Sequence, residues 1–321
     1  MYGNRLGWTL SILSVFGLFM LISWINATAT QAGARTEFSQ NISNGAAILL
    51  PVSPRVVVPT MTQMTDAGPI YRRAIEDYEK SPVTYDRFAR SGQVADVEDV
   101  PAIQILLEAA NHAQARLFAD NPTEIVNFKN EKPALDALKT LGACSRRAGQ
   151  LIEKSDPASA MRFYEATFSL GDKLYEERLC WAELNAGLTL MAEGSTMIGL
   201  LSESTGDQAR AVACKRFNDA RIEYVNQRLM PILRVITSIE PAMLEQNAGD
   251  IIYFARHAED KLWRVEAIEK LGRYRFNATR MGDQRIAMKV LKELSSDNDL
   301  TIKTAAIAAR DLTEPEYRML R

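Results

Sequence analysis

Histidine is nearly missing from this chain: in 321 residues only His112 and His257 occur. A Ser-His-Asp or Cys-His mechanism needs an imidazole beside its nucleophile, and neither histidine has a recognisable nucleophile motif near it in sequence. Cysteine is almost as scarce, with Cys144, Cys180 and Cys214 alone. Three cysteines do not make a disulfide framework or a zinc cluster, and they read best as small buried hydrophobes. Their spacings of 36 and 34 residues match one helical hairpin and suggest similar places on successive hairpins; one bridge plus one thiol stays open in an oxidising compartment. An excess of positive charge is also lacking. With 38 basic and 40 acidic residues the net charge is −2, so no overall field draws nucleic acid or anionic lipid. There is no phosphate-cradling glycine loop and no aromatic–basic interleaving suited to bases. The sequence therefore singles out no catalytic, cofactor-binding or metal residue, and no nucleic-acid partner.

What is present begins with Gly7–Ile25, a run without a charged residue. At helical rise it spans roughly 28 Å, close to the hydrocarbon thickness of a bilayer. Trp8 and Trp24 fall about 24 Å apart on the same rise, where aromatic rings meet the two headgroup levels. The competing reading is a cleaved signal peptide: Arg5 supplies a positive start, and Ala27-Thr28-Ala29 and Ala32-Gly33-Ala34 have the small-x-small form of a cleavage site. The run is longer than an ordinary signal-peptide core, which favours an uncleaved anchor. No cysteine precedes Cys144, so a lipidated-cysteine anchor is not expected. A short tail before a single span favours export of the bulk, although the Arg5 versus Arg35 bias is weak.

The remaining chain divides into a flexible spacer over 26–65, a helical-hairpin domain over 66–240 and a carboxyl-terminal part over 241–321. Pro51, Pro54 and Pro59 interrupt the spacer, whose Ile48–Leu50 and Val56–Val58 runs either dock on the domain or stay disordered. After residue 70 glycine and proline thin out and Ala, Leu, Glu, Lys and Arg dominate, which points to helices. One starts near Asp66. A short one is expected around Tyr85–Arg90, and Pro101 opens one reaching about Ala119. Others start at Pro133 and at Pro157, where Asp156 is the cap. Leu179–Ser204 is apolar enough to suggest a second span. Glu183 and Glu193 within it argue against that, and it reads as the central buried helix, with Gly187, Gly194 and Gly199 at close helix contacts. Asp207 caps the next helix. Pro231 is expected to kink or end it, with further helices over Ile232–Ile239 and from Pro241.

An internal repeat lies near the carboxyl terminus. Asp260–Ile268 aligns with Asp299–Ile307 at an offset of 39 residues, each copy running from an Asp to an Ala-Ile pair. On Trp263–Gly272 and Ser296–Ala309 the chain resembles the HEAT-repeat family of helical hairpins, over about 250–312. The Arg275–Gly282 loop is long for that family. The resemblance implies architecture and at most a concave protein-binding face, not chemistry. More weakly, Leu138–Gly171 resembles a tetratricopeptide-type hairpin, through Leu141-Gly142 and the Ala158–Ala166 run.

Three leftover features are weighed as sites and set aside. Glu108 and His112, at i and i+4, supply at most two of the three ligands that a catalytic metal needs. Glu176-Glu177-Arg178 and Arg146-Arg147 read as solvated faces or helix-end pairs, and His257 as a helix-end charge. The expected protein is all-α: stacked helical hairpins of α-solenoid type, HEAT-like at the carboxyl end, behind one amino-terminal transmembrane helix. The leading function is an exported, membrane-tethered scaffold or adaptor that binds another protein, not an enzyme. The alternatives are an enzyme with an acidic cleft between helices and a self-associating structural protein of the envelope; the sequence does not set an oligomeric state. Protease added to intact spheroplasts is expected to digest the bulk of the chain, and full protection would sink the exported topology.

Overall fold

The computed structural model describes residues 49–58, 63–128, 131–230, 233, 251–252, 254–277 and 281–319. The proposed anchor Gly7–Ile25, Pro231 and the helices expected over Ile232–Ile239 and from Pro241 lie outside these residues, apart from Leu233 and the helical Ile251, Ile252 and Phe254. The described chain belongs to one compact unit that starts at Ile48. It is mostly helical, and among the described residues no helix is long and apolar enough to cross a membrane.

The first layer differs most from expectation. Strand β1 (Gln63–Asp66) precedes α1 (Gly68–Lys80), α2 (Pro82–Ser91), α3 (Ala102–Ala109) and β2 (His112–Gln114). The two strands pair in parallel, with Gln63 opposite His112 and Asp66 opposite Gln114. The helix expected to run from Pro101 to Ala119 therefore stops at Ala109. Its second half is claimed by the strand: Asn111 C=O accepts from Gln63 N–H, and Gln114 C=O accepts from Ala67 N–H. Helix propensity is a weak prior, and these long-range hydrogen bonds override it. Asp66 ends β1 instead of starting the helix from its own backbone. Its carboxylate still accepts from Gly68 N–H at 2.9 Å and also from Arg116 N–H at 2.8 Å, tying strand, helix and loop together. Gly68 is required there, because a Cβ would lie 2.3 Å from the Arg116 carbonyl oxygen.

The central stack follows the sequence closely. Helices α4 (Pro133–Ile152), α5 (Pro157–Glu177), α6 (Trp181–Thr205) and α7 (Gln208–Tyr224) each pack on the next, and α7 passes into a π-turn at Val225–Leu229. Asp156 caps α5 by accepting from Ser159 N–H, and Asp207 caps α7 by accepting from Arg210 N–H. Antiparallel register is read from the contacts. Ser145 Oγ donates to Phe163 C=O, Thr167 Oγ1 to Gly142 C=O, and Ser195 Oγ to Asn218 Oδ1. Helix α6 is the buried centre. The α5–α6 crossing is close enough to exclude side chains at three positions. A Cβ on Gly171 would come within 2.7 Å of Gly187 C=O, one on Gly187 within 2.7 Å of Tyr175 N, and one on Gly194 within 2.7 Å of Phe168 N.

The cysteines do not occupy equivalent places. Cys144 is in the body of α4, Cys180 precedes α6 and Cys214 lies within α7. All three are buried and unpaired, and burial pushes the Cys180 thiol up to about 12. Part of the proline-rich stretch is in the compact unit: Leu50 N–H donates to Tyr175 Oη at 2.7 Å, and the Arg210 guanidinium donates to Val57 C=O at 3.2 Å.

The carboxyl-terminal group consists of α8 (Lys261–Asn277), α9 (Met281–Leu294), α10 (Leu300–Asp311) and the short α11 (Glu314–Met319). The two repeated aspartates do the same job 39 residues apart. Asp260 accepts from Leu262 N–H, and Asp299 accepts from Thr301 and Ile302 N–H. Lys261 pairs with Asp299 at 2.7 Å, joining the copies. Gly272 of α8 lets Ala309 of α10 approach, since a Cβ there would be 2.8 Å from the Ala309 Cβ. The link expected to be long is short, because α8 continues to Asn277 and α9 begins at Met281.

Gly187→Ala is expected to destabilise the fold by about 1–3 kcal/mol, as overpacking against backbone does. Gly282→Ala, where nothing lies within 4 Å of the added Cβ, is expected to leave the melting temperature unchanged or slightly raised. Equal melting temperatures for Gly187→Ala and wild type would contradict the close crossing.

Candidate functional site

The chain turns from α5 into α6 over Glu177-Arg178-Leu179-Cys180, and three distant segments are fastened to this corner. Arg178 adopts φ 29°, in the left-handed region, which costs a non-glycine residue about 1–2 kcal/mol. Its guanidinium offsets that cost. It donates to the Tyr175 and Glu176 carbonyls at the end of its own helix and to Asp260 Oδ2 at 3.0 Å. The same guanidinium carbon lies 5.5 Å from the centre of the Tyr175 ring.

Glu177 faces the other way. Its carboxylate accepts from the consecutive N–H groups of Leu117, Phe118 and Ala119 at 2.6–3.1 Å. These are charge-assisted bonds made where the chain leaves β2, so the glutamate substitutes for secondary structure in that loop. Burial nevertheless holds its acidity below normal, raising the pKa against the pull of those three donors. Glu183, one turn into α6, is fully buried. One of its oxygens accepts from Leu179 N–H at 2.6 Å, and Oε1 has no partner in hydrogen-bonding geometry. Burial, and then the Glu177 charge, push its pKa well above the ordinary value.

Beside this corner lies a recess of about 310 Å³. The 125–128 segment supplies Ile125, Val126 and Phe128, and Lys132 stands just before α4. The start of α6 supplies Trp181, and α8 supplies Glu266, Glu269 and Arg273. Helical spacing explains the α8 contribution, because residues three and four apart share a face. Glu269 and Arg273 pair along the helix at 2.5 Å. Glu266 accepts from Trp181 N–H at 3.0 Å, which satisfies a donor at the open start of α6. Burial first, and the neighbouring Glu269 second, raise the Glu266 pKa to about 7. Lys132 Nζ donates to Ile125 C=O at 2.5 Å.

The residues weighed from sequence fall elsewhere. Glu108 and His112 do not share a helical face, because α3 ends between them. Glu108 pairs with Arg73 at 2.8 Å, while His112 Nδ1 sits 2.9 Å from Thr65 Oγ1. His257 is exposed, and its neighbour Arg256 makes a bidentate pair with Glu293. Arg147 donates twice to Gly92 C=O, and Arg146 lies 3.8 Å from Glu193, so the arginine pair is already engaged. Of Glu176-Glu177-Arg178 only Glu176 is a solvated side chain; the other two hold the corner. Glu183 had a sequence signal, as one of the carboxylates, with Glu193, inside an apolar run. Glu266 and Lys132 had none, since ordinary helix and loop positions look the same until the elements pack. Comparison with family models, curated proteins and solved structures finds no match for the chain.

Folded Glu266 holds a proton at a pH where an unfolded glutamate has lost it. The folded state then binds more protons, and this group's contribution to stability falls as pH rises from the ordinary value of 4.5 through about 7. Glu266→Gln, which keeps a neutral acceptor for Trp181 N–H, is expected to lose less stability than wild type over that window. Thermal melts between pH 4 and pH 8 test this; superimposable profiles would contradict it.

Proposed function

We propose that this chain is a membrane-tethered, exported helical scaffold that binds another protein. In this reading Gly7–Ile25 is the anchor, and the body is a solenoid-like stack of helical hairpins with HEAT-like repeats toward the carboxyl end. The observation that carries the reading is the ordered succession α4, α5, α6, α7, each helix packed on the next in antiparallel register. Stacks built this way bury a continuous core between neighbours and present extended outer surfaces suited to partners. Apolar side chains are exposed along the α6–α7 hairpin, namely Leu200 at 56%, Val212 at 64% and Ile222 at 50%. Exposed apolar side chains of this kind on one hairpin fit a protein contact. The shared aspartate caps and the α8–α10 contact at Gly272 support the repeat-like description of the carboxyl-terminal helices.

A second reading is favoured by one observation. Glu266 has a pKa of about 7 within a recess, the property of a general acid or base. An enzyme with an acidic cleft would use it.

Photo-crosslinking residues placed at Val212 and Ile222 in native membranes distinguish the possibilities. The scaffold reading expects adducts with one other protein, unaffected by Glu266→Gln. Adducts with copies of the same chain alone would point to a self-associating envelope component. Adducts no more frequent than at the exposed Val83 would overturn the scaffold reading.

A further inference from the structure

Among the described residues the recess beside the α5–α6 corner is lined by four acidic or basic side chains, and they do not form two salt bridges. Glu269 and Arg273 neutralise one another. Lys132 and Glu266 line the same recess, yet no ion pair joins them. Among the described residues the Lys132 ammonium reaches only neutral oxygens, Ile125 C=O at 2.5 Å and Asn127 Oδ1 at 3.5 Å. Glu266 takes a single hydrogen bond, from a backbone N–H. Nearby charges are already committed: Arg178 to Asp260, and Glu177 to three backbone donors. A cation and a carboxyl group thus stand in one partly apolar enclosure, neither in a salt bridge among the described residues, and Lys132 acts on Glu266 only as a charge at longer range.

We propose that this recess binds a small zwitterion of the amino-acid class, with its ammonium on Glu266 and its carboxylate on Lys132. The charges favour this over a simple cation or anion. A simple cation would satisfy Glu266 and leave Lys132 uncompensated, and a simple anion would pair with Lys132 but leave the Glu266 carboxyl with nothing beyond its bond from Trp181 N–H. A zwitterion satisfies both and adds no net charge to a low-dielectric site, where an unpaired charge is costly. The volume of about 310 Å³ is at the lower end for small-molecule pockets, which suits a ligand of amino-acid size. Trp181, Phe128 and Val126 offer an apolar wall for its side chain. This site is separate from the α6–α7 hairpin proposed to meet a partner protein, and neither proposal depends on the other.

The test uses the full-length chain in detergent. The twenty free amino acids are screened by ligand-detected NMR at millimolar concentration. For the strongest binder, the matching amine without the carboxylate and the matching acid without the ammonium are titrated alongside. The expected result is saturable binding of at least one amino acid, with both single-charge analogues at least tenfold weaker. Lys132→Gln, which can still donate to Ile125 C=O, and Glu266→Gln are each expected to weaken binding at least tenfold while leaving circular dichroism unchanged. If one variant fails to fold, the other and the analogue series still decide the matter. No binding across the panel, or equal binding of either single-charge analogue, overturns the proposal.

Discussion

Two adjacent side chains at the end of α5 hold the molecule together by reaching in opposite directions. Glu177 gathers three consecutive N–H groups of the chain leaving β2, and Arg178 crosses to Asp260 at the head of the carboxyl-terminal helices. Neither bond could be made if α5 ran on. The helix has to stop at Arg178, and it does so in a left-handed conformation that is unfavourable by itself. The same guanidinium stabilises that stop by bonding the last carbonyls of its own helix, so termination and long-range attachment are one event. Glu183 and Glu266 then close the next turn, accepting from Leu179 and Trp181 N–H.

The recess is a consequence of this corner. Helix α8 is held where its Glu266–Glu269–Arg273 face looks across at Lys132 and Trp181. Packing of apolar surfaces alone would favour closing such a gap. Charged groups line it instead, and burying Lys132 or Glu266 more deeply without a partner would cost more than the packing gained. The raised pKa of Glu266 records that balance: the protein tolerates the carboxyl group by letting it hold a proton near neutral pH.

Two kinds of rigidity meet in the same stack. The α5–α6 crossing is set by absent side chains at Gly171, Gly187 and Gly194, where backbone meets backbone. The carboxyl-terminal helices are tied by charge, through Lys261 to Asp299 at 2.7 Å and Arg264 to Asp297 at 2.7 Å. The first contact is insensitive to ionic strength; of the second kind, the half-exposed Lys261–Asp299 pair weakens with salt, while the more buried Arg264–Asp297 pair is screened less.

Much of this was legible from local chemistry. Proline after a capping aspartate placed the start of α5 at Pro157. An apolar run that Glu183 and Glu193 keep out of a membrane reads as the buried centre, and a 39-residue echo aligns Asp260 with Asp299, which fold as equivalent caps. These signals act over a few residues, so the sequence by itself determines helices, their caps and their order. What it left undecided depends on groups brought together from far apart. Ala113 and Gln114 carry helix-compatible side chains, yet they become strand because β1 offers them hydrogen bonds across nearly fifty residues. Glu177 looked like one acid in a charged run, and only the loop at 117–119 shows why it must be glutamate. Lys132 and Glu266 are 134 positions apart in the chain, and no periodicity links them. Tertiary structure alone made them neighbours, because a recess is a property of several packed elements and not of any one stretch.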